Sequence, residues 1–174
     1  MTDELVEEFV GRVRALKGKP CWSFYAGPST GSCIDLDFGE KIPRVVPLLG
    51  NPNLSEDQKF YESEVSLYIE CAWRLDSDDE VICGSTDSNE KDGPMLIGLY
   101  SLMGKTIEAV KLERPAFDLA LRFSDDLVLK IFCDQTNLEE DDSNYSLHMK
   151  DKIYIVGPRD RIRFEIPSSK PPRW

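Results

Sequence analysis

Two runs of acidic side chains are the first places in this sequence that could support chemistry. One is the turn-like segment Asp76–Glu80, and the other is the loop-like segment Asp134–Asp142. Carboxylate oxygens are the ligands that Ca²⁺ and Mg²⁺ prefer, but neither run has the spacing and the glycine of an EF-hand loop. We therefore predict solvated loops with no metal and no cofactor. Eight of their carboxylates are candidate contacts to a partner: Asp76, Asp78, Asp79, Asp134, Glu139, Glu140, Asp141 and Asp142.

Cys133 is the residue best suited to nucleophilic catalysis, because it directly precedes Asp134 in a strand-like segment. A cysteine nucleophile needs a base, and His148 is the only imidazole in the chain. Glycine-rich phosphate loops, HExxH and nucleophile elbows are absent from the sequence. An enzyme built on Cys133 and His148 is therefore the weakest of three hypotheses, and we predict a protein without catalytic residues.

Four aromatic side chains in predicted strands could line an apolar ligand site. Such a site would lie inside a closed barrel or between two halves of the molecule, and a filled core would exclude it. The second hypothesis is therefore a small-molecule-binding protein whose pocket contains Trp22, Phe24, Trp73 and Tyr145.

The formal net charge of −11 disfavours nucleic acid as a direct ligand, because phosphate contacts need clustered Lys and Arg. An acidic surface suits a basic protein partner instead and accelerates the encounter with it. If the two acidic runs occupy related places in the fold, they could form one negative patch. The alternative is that they are ordinary loop carboxylates.

The cysteines and the apolar runs predict a cytoplasmic location. The five cysteines are odd in number, form no CxxC pair and lie in strand-like apolar segments, as is typical of reduced, buried thiols. No apolar run approaches the roughly 20 residues that span a bilayer, and the acidic N-terminus is unlike a secretory signal.

The elements that must position these residues are mostly short strands. The apolar stripe of residues 3–16 predicts an amphipathic helix, and residues 94–103 predict a second, buried one. Strict alternation predicts that Ile34, Leu36 and Phe38 face the core while Asp35 and Asp37 are solvated. Residues 64–75 are predicted as one long strand and residues 39–57 as a loop insertion. The other predicted strands are 21–26, 80–83, 105–112, 119–123, 127–131, 144–149, 153–156 and 161–166.

An internal repeat is indicated by matching segments. Gly18-Lys19 recurs 86 positions later as Gly104-Lys105, and the IDLDF segment recurs 85 positions later as LALRF. We predict an α+β fold, mainly antiparallel β with two helices. Its two related helix-plus-meander halves, residues 3–84 and 92–167, would close a pseudo-symmetric barrel or pack as two sheets. They would form one compact domain, 1–167, followed by a flexible tail, 168–174.

Three segments also resemble a widespread family of small acidic bacterial proteins. They are WRLDSDDEVICGS, LxGKxIxxV, and DLALRF followed by LVLKIFCD and SNYSL, and together they cover about residues 65–150. Proteins of this kind look like immunity proteins of polymorphic toxin systems, because they are small, acidic and without catalytic residues. The resemblance implies no activity and no site residue. The leading hypothesis is thus a non-enzymatic acidic binding protein, an immunity-type inhibitor of a basic toxin.

Overall fold

The computed structural model describes residues 2–138 and 142–167, which form eleven strands and three helices. The helices are α1 (Asp3–Arg14), α2 (Glu56–Phe60) and α3 (Pro94–Tyr100). The strands are β1 (Cys21–Tyr25), β2 (Ile34–Pro43), β3 (Tyr61–Ile69), β4 (Ala72–Asp76), β5 (Val81–Gly84), β6 (Ile107–Glu113), β7 (Asp118–Phe123), β8 (Val128–Phe132), β9 (Tyr145–Met149), β10 (Ile153–Val156) and β11 (Ile162–Glu165).

The strands form two antiparallel sheets. Sheet 1 has the order β1-β2-β3-β9-β10-β11, and sheet 2 has the order β5-β4-β8-β7-β6. The inner faces share one core, in which the rings of Phe38 and Phe123 stack with centroids 6.2 Å apart. The predicted α+β class is confirmed. Of the two predicted arrangements, two packed sheets is right, since the sheets are not closed into a barrel.

Helices α1 and α3 pack their apolar residues into this core. Thr2 caps α1, and Phe9 on its buried face contacts the rings of Phe117, Tyr145 and Tyr154. Helix α3 packs on β5. The sequence pattern missed α2, which starts at a capping box formed by Ser55 and Gln58 within the predicted loop insertion.

The segment predicted as one long strand, residues 64–75, is divided between the two sheets. Strand β3 ends at Ile69 in sheet 1, and the chain then crosses at Glu70 and Cys71 to begin β4 in sheet 2. The prediction was wrong because the alternation of apolar residues continues through the crossing, with Ile69, Cys71 and Trp73 all buried.

Each half of the chain gives its last hairpin to the sheet of the other half. Hairpin β4-β5 pairs with β8, and hairpin β9-β10 pairs with β3. Equivalent aromatic residues anchor both hairpins. Trp73 Nε1 donates to the Ser32 carbonyl and Tyr145 Oη donates to the Phe117 carbonyl, each at 2.8 Å.

Matching backbone hydrogen bonds relate the halves where β1 and β6 begin. Pro20 and Thr106 form an isolated antiparallel bridge there. The flanking bonds, written donor to acceptor, are Gly18 to Ile107, Gly104 to Cys21, Cys21 to Lys105 and Ile107 to Lys19, at 2.7–3.0 Å. Each bond maps onto another when 86 positions separate the equivalent residues, so an approximate two-fold axis passes through the bridge.

The limits predicted for the domain and for the two repeats stay predictions. The predicted tail, 168–174, lies outside the described residues. Among the described residues, no helix has the length and apolar character needed to cross a membrane.

Replacing Gly104 with alanine should lower the free energy of unfolding by about 1–2 kcal/mol, because its φ of +77° disfavours any side chain. Gly18, with a φ of +88°, should show a similar loss. The control is Gly11→Ala within α1, where a Cβ meets nothing within 4 Å and helix propensity predicts a gain of up to about 1 kcal/mol. Urea denaturation measures all three, and equal effects at Gly104 and Gly11 would contradict the strain expected from the positive φ.

Candidate partner-binding face

The outer face of sheet 1 carries two carboxylates side by side on β2. Ile34, Leu36 and Phe38 are fully buried in the core, so Asp35 and Asp37 point to the other side of the sheet. Both are only partly exposed, and neither forms an ion pair within the described part of the chain. The prediction that they are simply solvated was wrong.

Two rows of side chains cross this face from β2 to β9. In one row Asp35 lies beside Tyr68, which lies beside Ser146. The other row consists of Asp37, Ser66 and His148. Because paired residues of an antiparallel sheet project to the same side, these six side chains form one polar surface.

Serine hydroxyls hold the two carboxylates in place. Ser66 Oγ donates to Asp35 Oδ1, and the hydroxyls of Ser63 and Ser23 hydrogen-bond to Asp37. Hydroxyl groups orient a carboxylate without neutralising it. The pair therefore keeps its full negative charge whenever both groups are ionised.

Burial raises the pKa of both carboxyl groups. The pKa of Asp37 rises to about 6, first through burial and then through the charge of Asp35, against the opposing effect of Ser63, Arg44 and Ser23. The pKa of Asp35 is also raised by burial, which outweighs its hydrogen bonds from Ser66 and from the backbone. Two neighbouring carboxylates without a paired cation thus meet on one face.

Glu70 extends this acidic surface toward the second acidic run. It follows Tyr68 by two positions on the same side of the chain, and it accepts a hydrogen bond from Ser143 Oγ. Burial and then the charge of Asp142 raise the pKa of Glu70, while Arg163 opposes the shift. We call the surface formed by Asp35, Asp37, Glu70 and Asp142 the acidic face.

The outer face of sheet 2 has the opposite character, although equivalent strands form it. Asp76 accepts hydrogen bonds from Arg74 Nε at 2.7 Å and lies 2.8 Å from Lys130 Nζ. The hydrogen bond from Arg74 is the main cause that lowers the pKa of Asp76. Arg122 in turn contacts Asp126 and Asp78. Asp76 and Asp78 are thus paired with cationic side chains, whereas Asp35 and Asp37 are not paired with any among the described residues.

His148 also lies on the acidic face. Its Nε2 is 2.8 Å from Ser146 Oγ, and burial lowers the pKa of the imidazole despite the nearby charge of Glu165. A Ser–His hydrogen bond is one part of an activated nucleophile, but Ser146 is only 5% exposed and packs between Tyr68 and Ile155. The Ser146 hydroxyl is therefore not accessible to a substrate, and we interpret its hydrogen bond with His148 as structural.

Asp76 of the first acidic run and Asp134 of the second lie at opposite ends of sheet 2. Asp76 pairs with Val128 at one end, while Phe132, at the other end, leads into Asp134. The single negative patch was conditional on related places in the fold, and that condition is not met, because the hairpin equivalent to β4-β5 is β9-β10 and not the 134–142 segment. Asp134 and Asp142 are exposed and Asp79 stands in the β4-β5 turn. Glu139, Glu140 and Asp141 lie outside the described residues.

The four aromatic residues predicted to line a pocket do not converge. Trp73 and Tyr145 are buried in the core, and the ring of Phe24 packs edge-on against Tyr100 with centroids 5.0 Å apart. Trp22 lies under Lys41 Nζ. Two surface grooves, of about 440 and 600 Å³, are lined by none of the four.

Cys133 and His148 are not brought together. The Cys133 thiol hydrogen-bonds with Cys71, and this contact, burial and the charge of Asp118 raise its pKa. His148 stands on the outer face of sheet 1, with Ser146 as its partner. A thiol whose pKa is raised stays neutral and is a poor nucleophile.

Among residues 2–138 and 142–167, no group of three or more His, Cys, Asp or Glu side chains is arranged to hold a metal ion. Comparison of the chain with models of protein families, with curated proteins and with solved structures gave no match. The class of the protein is therefore defined by its own fold, a two-sheet α+β protein with exchanged hairpins.

Asp37→Asn should stabilise the protein at neutral pH. The pKa of the Asp37 carboxyl is about 6 in the folded protein and lower in the unfolded chain. Between pH 4 and 6 the folded state therefore binds more protons than the unfolded state, and the free energy of unfolding falls as the pH rises through this window. Removing the charge should raise the free energy of unfolding at pH 7.5 by on the order of 2 kcal/mol, and the gain should vanish near pH 4.

The matched control is Glu108→Gln, which removes one charge from an exposed position of β6. Urea denaturation from pH 4 to 8 compares the two variants. If Asp37→Asn and Glu108→Gln follow the same pH profile, the carboxylate pair does not destabilise the fold.

Proposed function

We propose that this chain is a non-enzymatic binding protein whose acidic face receives cationic side chains of a basic protein. The observation that supports it is the pair Asp35 and Asp37, which is partly buried, oriented by serines and without an ion pair in the described chain. A guanidinium or ammonium group of a partner would neutralise both groups at once. Arginine, with its planar fork of donors, suits two adjacent carboxylates best.

The surrounding charge supports the same proposal. The net charge of −11 attracts a basic partner over a distance, while the acidic face provides the specific short-range contact. Asp134 and the other acidic residues of the second run stay predicted contacts. Asp76 and Asp78 are weaker candidates, because Arg74, Lys130 and Arg122 already neutralise them.

The particular form we propose is an immunity-type inhibitor that acts in the cytoplasm. A small, acidic protein that neutralises a basic toxin needs a preformed anionic surface and no catalytic group, and the acidic face provides such a surface. Co-expression with the basic protein encoded by an adjacent gene tests this form. Protection of the cells by the native chain, but not by Asp35→Asn/Asp37→Asn, is the expected result.

Cation binding at the acidic face should release protons. Titration calorimetry with hexa-arginine at pH 6 should show a buffer-dependent enthalpy, because a bound cation lowers the pKa of Asp37 from about 6. Asp35→Asn and Asp37→Asn should each weaken binding about tenfold, and raising the salt concentration should weaken it further.

Glu108→Gln is again the matched control, since it changes the net charge by the same single unit. Its affinity for hexa-arginine should stay within about twofold of the native value. Equal losses in Asp35→Asn and Glu108→Gln would show that the peptide senses only net charge, and would refute the acidic face as a site.

A further inference from the structure

Two thiols face each other where the chain crosses between the sheets. The pairing of Ala72 with Phe132 ends the β4-β8 ladder, and Cys71 and Cys133 are the next residues on the two chains, where continued register sets them opposite each other. Residues opposite each other in an antiparallel pair have Cα atoms about 4.5–5.5 Å apart, which is within the range that a disulfide bridges. The two thiols already contact each other through a hydrogen bond.

We propose that Cys71 and Cys133 are a disulfide-forming pair that cross-links the crossing point before β4 to the end of β8. The proposal concerns a modification site that is separate from the acidic face and does not depend on its binding function. The remaining three cysteines lie elsewhere: Cys21 starts β1, Cys33 precedes β2 and Cys83 is in β5.

Exposure decides which thiol reacts first. Cys133 is half-buried, whereas Cys71 is 3% exposed. With glutathione disulfide as oxidant, the Cys133 thiolate attacks one glutathione sulfur, and the other glutathione leaves as its thiolate. The Cys71 thiolate then attacks the Cys133 sulfur of the mixed disulfide and releases the second glutathione. Two thiols lose two protons and two electrons, and one oxidised glutathione becomes two reduced ones.

The groups around Cys133 should make disulfide formation slow, and the disulfide would fix the chain at the end of β8. The groups that face Cys133 are Cys71, the Asp118 carboxylate and the Tyr145 phenol. They keep the thiol protonated at neutral pH, so exchange should take hours rather than seconds. Once formed, the bond would fix the beginning of the 134–142 segment. Its other end is already held by the Asn144 carbonyl, which accepts from the backbone of Glu70 and Cys71.

A cross-link at this place restricts the unfolded chain strongly. It closes a loop that contains β4 to β8, and longer loops lose more conformational freedom in the unfolded state. We therefore expect the oxidised protein to melt several degrees above the reduced protein.

The experiment equilibrates the full chain in glutathione buffers of graded redox poise, then blocks free thiols with N-ethylmaleimide. We expect an intact mass lower by about 2 Da before blocking, a single cross-linked peptide that joins Cys71 to Cys133, and three alkylated cysteines. A disulfide that involves Cys33, a linkage between two molecules, or five alkylated cysteines in the most oxidising buffer would overturn the proposal.

Single variants provide the second measurement. Cys133→Ser and Cys71→Ala should each abolish the rise in melting temperature on oxidation, and Cys33→Ser, the control at a half-buried thiol outside the pair, should keep it. Circular dichroism of each reduced variant shows that it is folded. The peptide map of the native chain needs no variant, so the proposal can be refuted even if Cys71→Ala does not fold.

Discussion

Neither half of this chain can complete its own sheet, and the rest of the structure depends on the exchange that follows. After β3 the chain leaves sheet 1, and the vacant edge of β3 is filled by β9 from the other half. Strand β4 fills the equivalent edge of β8. Because unpaired edges deep in a molecule are costly, the two exchanges require each other. The reciprocal bonds around Pro20 and Thr106 also join the two halves, where β1 and β6 begin.

Much of the fold could be predicted from local patterns. The apolar stripe of α1, the alternation along β2 and β7 and the turn residues between β7 and β8 all have short-range causes, and the structure contains each element. The crossing at Glu70 and Cys71 could not be predicted, because the alternation continues through it without glycine or proline. Which sheet a strand joins depends on tertiary structure, because it is decided by the distant strand with which its edge pairs.

The acidic face was missed for a related reason. Alternation shows that Asp35 and Asp37 are turned away from the core, but it contains no information about what stands beside them. Their neighbours Tyr68, Ser66 and Ser146 come from β3 and β9. The only sequence signal was the choice of two carboxylates at positions where the other half of the chain has Ala120 and Arg122. A comparison of the two repeats position by position could have identified that difference.

That difference is also the strongest physical reason to connect the acidic face with function. A symmetric scaffold presents two equivalent outer faces, and one of them shows how this fold neutralises buried charge, with Arg74 and Lys130 on either side of Asp76. In sheet 1, by contrast, two neighbouring carboxylates with raised pKa values lower the stability of the folded protein at neutral pH. A stability cost that the scaffold can avoid elsewhere is the expected sign of a surface that is completed by a partner. Positive charge would offset that cost, and this asymmetry is the reason that we propose a basic protein as the partner.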